Sequence, residues 1–423
     1  MSNALAQVQI LAAYARARWL TSRLKTRADV EAWRNRQLAR FLAGPVARVP
    51  AFKDMAHRPL DSFPVQDKAS MMSRFEHFNR LGLTAQQARQ RWQDGTAPRG
   101  YAVGASTGTS GNRGFYVVSD AERYAWLGVI LARGLPGFWR ERLKVAVMLP
   151  ANSRLYDAAN ESRRLALRFF DLHEGIETQA GAVEAWAPDV LIAPPKVLRL
   201  LSQRDSALAP RQIFSGAEVL DPIDRTLIER RFGCTVREIY MATEGLFAIA
   251  CPHGHLHLLE DYMAFEWEAD PSGGPLVSPL ITDFTRQSQI MVRYRMNDLL
   301  ELDDQACPCG SPFTGVKSVV GRMDDVLELS GCQGGLVAVT PDILRNAIID
   351  ADASIDDFRV LQTAPSAIRV TLPPHASKAT QAVQHSLTSL LKGLDASAQV
   401  ELRIDTLPPP DSHKLRRVSR VRS

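Results

Sequence analysis

Short apolar runs and longer helix-patterned stretches alternate through the middle of this 423-residue chain. KVAVML starts at Lys144, and LRFFDL at Leu167, DVLIA at Asp189, RQIFSG at Arg211 and TVREIY at Thr235 follow it in turn. Strands separated by helices predict an α/β fold with mostly parallel sheets flanked by helices. One of the helices starts after Pro195. Another is DPIDRTLIERRF, where Asp221 suits the N-cap and Pro222 the first helical position. In such folds ligands sit beyond the carboxyl ends of the strands, so the loops after Ser215 and Tyr240 are the first places to look for binding.

The two ends of the chain read differently. Residues 1–95 are mostly helical with Arg-rich polar faces, interrupted by the Pro-containing stretch HRPLDSFPVQDK from His57 to Lys68. They are expected to form a helical subdomain of a large N-terminal domain, 1–320. MSNALAQVQILAAYARARWL predicts an amphipathic helix in which Arg16 and Arg18 interrupt the apolar stretch before it could span a bilayer. Beyond Leu259 the pattern is more β-like. Residues 321–423 are expected to be a small, mobile α+β domain. No internal repeat is evident.

A chain 45% hydrophobic and 23% charged has an ordinary globular composition, which excludes collagenous, wholly disordered and membrane-spanning classes. Lys plus Arg number 51 against 46 Asp plus Glu, and the net +5 is spread along the chain. The exception is KLRRVSRVR, from Lys414 to Arg422, and no aromatic-basic stripe accompanies it, so nucleic acid is not an expected partner. Five cysteines with no export signal read as reduced thiols or metal ligands in a cytoplasmic protein.

Chemistry concentrates first in YAVGASTGTSGNRGFYVVS. Gly104, Gly108, Gly111 and Gly114 let a backbone fold closely around a phosphate. Ser106, Thr107, Thr109 and Ser110 add hydroxyl donors. The P-loop pattern G-x-x-x-x-G-K-[ST] is absent, since Asn112 and Arg113 follow Gly111.

STGTSGNRG resembles the phosphate loop of the acyl-adenylate-forming superfamily, with Arg113 where most members carry Lys. Four further motifs follow in the order that superfamily has them. FSGAEVL, with Ser215, Gly216, Ala217 and Glu218, resembles the adenine-pocket turn. YMATEG resembles the aromatic-x-x-Thr-Glu motif. The resemblance implies that Tyr240 packs on adenine beside Met241, that Thr243 contacts phosphate and that Glu244 helps hold Mg2+. YRMND implies Asp298 as acceptor for the ribose hydroxyls. GRMDD implies Arg322 as a nucleotide contact and Asp324 as the hinge between domains. LPPPDSHKLRRV offers Lys414 as the family's catalytic lysine, with His413 where Gly is common. Length, the SFPVQDK segment, the cysteine stretches and KLRRV point to the branch of phenylacetate-CoA ligases and deazaflavin-cofactor adenylating synthetases.

CPHGHLHL and CPCG bring a second kind of chemistry. Thiolates and imidazoles are the usual zinc ligands, and a structural tetrahedral site needs four. Cys251, His257, Cys307 and Cys309 are the expected set, with His253 or His255 as alternatives to His257. Three or more soft ligands leave little room for an open catalytic position.

The resemblance implies ATP-dependent activation of a carboxylic acid as acyl-AMP, release of pyrophosphate, and transfer to the thiol of CoA or of a carrier protein. The branch implies an aromatic acid, and the neighbours Phe214, Tyr240 and Phe247 suit the wall of a flat-ring pocket or, equally, a core. Alternatives are an adenylyltransferase that leaves AMP on its substrate and a non-catalytic nucleotide or acyl sensor of the same fold.

Overall fold

A computed structural model describes residues 3–55, 57–106, 114–149, 165–270, 274–408 and 414–421. Its spine is one large sheet. At one end five strands run parallel in the order Leu165–Asp171, Leu143–Leu149, Val190–Ala193, Gln212–Gly216 and Val236–Ala242. Helices Ile176–Trp186, Pro195–Gln203 and Pro222–Phe232 make crossovers between them. Pro222 stands in the first turn of its helix, and Asp221 caps it through Ile223 N. Leu198, Leu201, Ile213, Ile228 and Val236 form a shared core between these helices and the strands.

After Ala242 the sheet changes character. Strand Gly245–Ala250 pairs antiparallel with Val236–Ala242 in a register that sets Ala242 opposite Gly245, leaving Thr243 and Glu244 as a two-residue turn. Leu256–Leu258, Gly315–Arg322, Asp298–Asp303, Val277–Asp283 and Met263–Ala269 continue the antiparallel half. A parallel pair needs a crossover of a dozen or more residues, which the three helices named above supply only in the first half. The parallel arrangement therefore belongs to the first half of the sheet.

The N-terminal helices wrap one flank of the sheet. Phe52, Phe63, Phe75 and Phe78 pack there with Ile290, Met291 and Val292. Helix Asn3–Arg23 departs from the amphipathic expectation: Ala6, Ile10, Ala17 and Leu20 are buried, yet Leu5, Val8, Leu11 and Trp19 on the outer side are exposed. Its inner face lies so close to helix Asp120–Gly134 that a Cβ on Gly128 would stand 2.6 Å from Ala13 Cβ.

The small C-terminal α+β domain has its own core, built from Leu327, Leu344, Phe358, Val370, Leu387 and Val418 among others. Its sheet runs in the order Gln399–Ile404, Ala367–Leu372, Arg359–Ala364 and Val418–Arg420, with helices Pro341–Ile349 and Thr380–Gly393 packed together and contributing to that core. The last strand of the large sheet ends at Arg322, and the 3-10 turn Met323–Asp325 links it to Leu327.

Candidate active site and a thiol-imidazole cluster

The Thr243–Glu244 turn lies where the sheet switches from parallel to antiparallel, at the carboxyl end of a parallel strand. Thr243 Oγ1 donates to Glu244 Oε2 at 2.7 Å, and Tyr294 Oη donates to Oε1 at 3.4 Å. The turn's carbonyls are held from below. Arg286, fully buried, donates to Thr243 O at 2.9 Å, to Glu244 O at 3.0 Å and to Val117 O at 2.9 Å. Behind the turn, Asp283 is also fully buried; burial pushes its carboxyl up to about 6, although Thr285 donates to it.

Asp298 stands beside this turn. Tyr240 Oη donates to its Oδ2 at 2.7 Å, and Arg322 Nε lies 3.7 Å from its Oδ1. Burial raises the carboxyl of Asp298 despite these partners and the nearby positive charges of Arg322 and Lys414. Tyr240 in turn packs on Phe247 with ring centroids 4.9 Å apart. Ser215, Ala217, Met241 and Lys414 line the same cleft as Tyr240 and Asp298. The cleft holds about 120 Å3, below the about 300 Å3 at which ordinary ligand pockets begin, and Lys414, Leu415 and Arg416 form one of its sides. Ala217 has φ +68°, a left-handed conformation that is costly without glycine and that gives the turn after Gly216 its shape.

Lys414 is brought into the cleft from the end of the small domain. Burial and the adjacent Arg322 lower its pKa, opposed by Glu218, Asp298 and Glu244. Glu218 is buried beside it and accepts from the buried Lys196 Nζ at 2.9 Å. Arg417, three residues on, is buried in a dense ionic cluster. It donates to both oxygens of Asp224, at 2.8 and 2.9 Å, and through Nε to Asp357 at 2.8 Å. Arg199 also donates to Asp224 at 3.1 Å. Asp324 lies in the linking 3-10 turn, and its neighbour Asp325 pairs with Arg416 at 3.1 Å.

Of the expected phosphate loop, Thr107, Gly108, Thr109, Ser110, Gly111 and Arg113 lie outside the described residues, as does His413. Its two ends are described and meet: Ser106 N donates to Gly114 O at 2.8 Å and Gly114 N to Ser106 Oγ at 2.9 Å. Sequence reasoning missed the cation at this spot. Lys68 Nζ donates to Ser106 Oγ at 3.4 Å. Burial lowers its pKa, while Glu244 and Asp324 oppose that shift. Lys68 follows the N-cap Asp67 of a six-residue helix, and only its place in SFPVQDK marked it. Lys196 and Arg286 were also unmarked.

Phe214 and Phe247 turn out to be core residues. Phe214 packs beneath Gly134 with the Arg237 guanidinium 4.5 Å from its ring centre, and Phe247 sits in the aromatic core of the N-terminal flank. They give no ground for an aromatic substrate.

The four expected soft ligands converge. Every donor atom of Cys251, His257, Cys307 and Cys309 lies within 4.8 Å of the others. Cys251 Sγ is 3.8 Å from Cys307 Sγ, and Cys309 Sγ is 3.3 Å from His257 Nε2. Two matching turns create this. Gly254 N donates to Cys251 O and Gly310 N to Cys307 O, each at 2.9 Å, and both glycines have positive φ, at +84° and +70°. His257 points its Nδ1 at Phe313 O, 3.4 Å away, which leaves Nε2 facing the thiols. His253 and His255 are exposed and outside the group, with His255 3.8 Å from Asp303 instead. Three cysteines and a histidine in this geometry fit a tetrahedral zinc site.

Comparison with known proteins agrees with this geometry. No family model matches the chain. A phenylacetate-coenzyme A ligase of Thermus thermophilus is 26% identical over 176 residues, 37% of this chain and 39% of the relative. Protein CapK of Staphylococcus aureus is 27% identical over 125 residues, 29% of this chain and 27% of the relative. The chain thus matches less than half the length of each of these curated relatives. A crystal structure of 2-hydroxyisobutyryl-CoA ligase in the postadenylation state superposes with a TM-score of 0.69 at 16% identity, covering 95% of this chain and 91% of that one. In part of its sequence and in its fold, the chain resembles the acyl-adenylate-forming superfamily, on the phenylacetate-CoA ligase-like side.

Proposed function

We propose that this protein activates a carboxylic acid with ATP, forming an acyl-adenylate and pyrophosphate, and then passes the acyl group to a thiol of CoA or of a carrier protein. The observation that carries the reading is that Lys414, from the small domain, lines the cleft with Tyr240 and Asp298, while Lys68 bonds to Ser106 where the Gly-rich segment begins. In the first step a carboxylate oxygen of the acid bonds to the α-phosphorus of ATP, and the bond from that phosphorus to the bridging oxygen breaks. Positioning and neutralisation of accumulating negative charge are the main demands of such a transfer.

Each residue then has a role. Lys414 faces the α-phosphate and the incoming carboxylate. Lys68 and residues 106–114, Arg113 among them, hold the outer phosphates. Thr243 donates to phosphate, and Glu244 holds Mg2+, which neutralises phosphate charge when bound. Asp298 exchanges its bond from Tyr240 for the ribose hydroxyls, Arg322 contacts the nucleotide, and Ser215, Gly216, Ala217, Glu218 and Met241 wall the adenine with Tyr240. In the second step the small domain turns about Asp324, withdrawing Lys414 and admitting the thiol. The Cys251, His257, Cys307 and Cys309 site binds structural zinc, stapling the hairpin after Gly245 to the 307–310 turn. The reading places the protein in the cytoplasm.

ATP–pyrophosphate exchange against a panel of aliphatic, hydroxylated and aromatic acids tests the first step. Exchange with at least one acid is expected, and none across the panel refutes activation. Product mass after adding CoA or a carrier protein separates a thioester from permanent adenylation. Metal analysis is expected to find one zinc per chain, lost in Cys307→Ser and Cys309→Ser together with thermal stability.

A further inference from the structure

We propose that the outer face of helix Asn3–Arg23 is a docking surface for an anionic phospholipid bilayer, on which the protein lies without crossing it. The inference is independent of the reaction proposed above. It starts from a helix apolar on two opposite sides. The inner side is fully used: Ala6, Ile10, Ala17 and Leu20 are buried, Gly128 admits the helix to close contact with Asp120–Gly134, and Tyr14 Oη donates to Pro136 O at 2.6 Å. Packing of this kind fixes which residues face outward.

Outward stand Leu5, 46% exposed, Val8, 61%, Leu11, 53%, and Trp19, 51%. These are four of the eleven exposed large hydrophobics among the described residues, gathered on one element. Ala12 and Ala15 are exposed as well. At roughly 100° per residue these positions share one stripe about a third of the helix circumference wide. Scattered exposed hydrophobics need no explanation, but a continuous stripe of this kind marks an interaction surface. Trp19 ends the stripe edge-to-face with Trp33, with ring centroids 6.1 Å apart, and such amphipathic rings favour the headgroup region of a bilayer.

Charge chooses the occupant. By the same rotation Arg16 and Arg18 fall on opposite borders of the stripe, and both are exposed. Residues 1–25 carry Arg16, Arg18, Arg23 and Lys25 and no acidic residue, whereas Arg27 is taken up by Glu31 and Glu260. A second copy of the chain pairing through the same stripe would set arginines against arginines with no nearby acid from this segment to meet them. A layer of lipid phosphates neutralises them, while the arginine stems lie along the apolar boundary with the guanidinium groups in the headgroups. No described helix is long and apolar enough to cross a membrane, so the surface supports lying on the bilayer. Each basic residue near an anionic leaflet strengthens the binding, and salt screens the effect.

Co-sedimentation of the full chain with vesicles of phosphatidylcholine alone and of phosphatidylcholine mixed with phosphatidylglycerol tests the assignment. Binding to the mixed vesicles at low salt is expected, with little to phosphatidylcholine and release in high salt. A triple variant Leu5→Ser, Val8→Ser, Leu11→Ser is expected to weaken binding about tenfold or more, and so is Arg16→Gln with Arg18→Gln. Because these side chains point outward, the melting temperature serves as the control for folding. Absence of binding to the mixed vesicles overturns the proposal, as does binding that both variants retain. A concentration-dependent dimer that the triple variant abolishes, with no vesicle binding, assigns the stripe to a second copy instead.

Discussion

Two clusters of buried charge lie a few residues apart, and they are built on opposite plans. Around Arg417 the hydrogen bonds are close: both Asp224 oxygens and one of Asp357 accept from it at 2.8 to 2.9 Å, and Arg199 adds a further donor to Asp224. Around Lys414 some pairs are as close, with Tyr240 to Asp298 at 2.7 Å and Lys196 to Glu218 at 2.9 Å, but the set is incomplete. Arg322 stands 3.7 Å from Asp298 and Tyr294 3.4 Å from Glu244, while the buried Ser215 Oγ and Glu218 Oε2 find no hydrogen-bond partner among the described residues. Buried polar groups are normally satisfied, so a saturated cluster reads as a fastening and an unsaturated one as a place prepared for a ligand.

The contrast can be broken at either end. Lys414→Ala removes a cation from the reacting atoms and is expected to lower ATP–pyrophosphate exchange by about 100- to 1,000-fold. Thioester formation from supplied acyl-adenylate should stay near the parent rate; equal loss in both steps would show that Lys414 acts through folding. Asp224→Asn attacks the fastening. Breaking a buried ion pair costs about 3–5 kcal/mol, and the lower end applies because Asp221 and Asp357 remain near Arg417. Faster amide hydrogen exchange at Val418–Arg420 is expected in this variant, with slower pyrophosphate exchange, whereas Lys414→Ala should leave amide exchange unchanged.

A smaller effect is expected behind the Glu244 turn. The carboxyl of Asp283 sits at about 6 instead of 3.8 because of burial. The unfolded chain therefore ionises first, and the folded state loses stability as pH rises from about 4 to 6, by at most about 3 kcal/mol. Asp283→Asn is expected to raise the melting temperature at pH 8, with the difference vanishing towards pH 4; a gain that persists at pH 4 contradicts this origin. The smallest change is Arg416→Gln. Its pair with Asp325 is partly exposed, so the loss is about 0.2–1 kcal/mol and pyrophosphate exchange should fall less than about fivefold.

What the sequence made legible follows contact range. The alternation of strands and helices from Lys144 to Tyr240 is a local pattern, and it gave the parallel half of the sheet, the Asp221 cap and the position of the Thr243–Glu244 turn. Cys251, His257, Cys307 and Cys309 were legible because soft ligands in two short clusters have few other uses. Lys68 was not, since its meaning arises only when a segment before the sheet reaches Ser106, and lysines on helices are ordinarily solvated. Phe214 and Phe247 read equally as pocket walls or core because a strand's two faces cannot be ranked without knowing what packs on each. The outer face of the first helix was misjudged for a related reason: apolar residues on both sides average to a pattern that says little about which side is covered.

Lys414 and Arg417 share one short stretch of chain, roughly 10 Å long when extended. While the arginine stays seated, the lysine searches only a small volume, so its effective concentration at the cleft is high. An ammonium on a short leash can yield its place to substrate and return at once, and its departure for good waits on the anchor letting go.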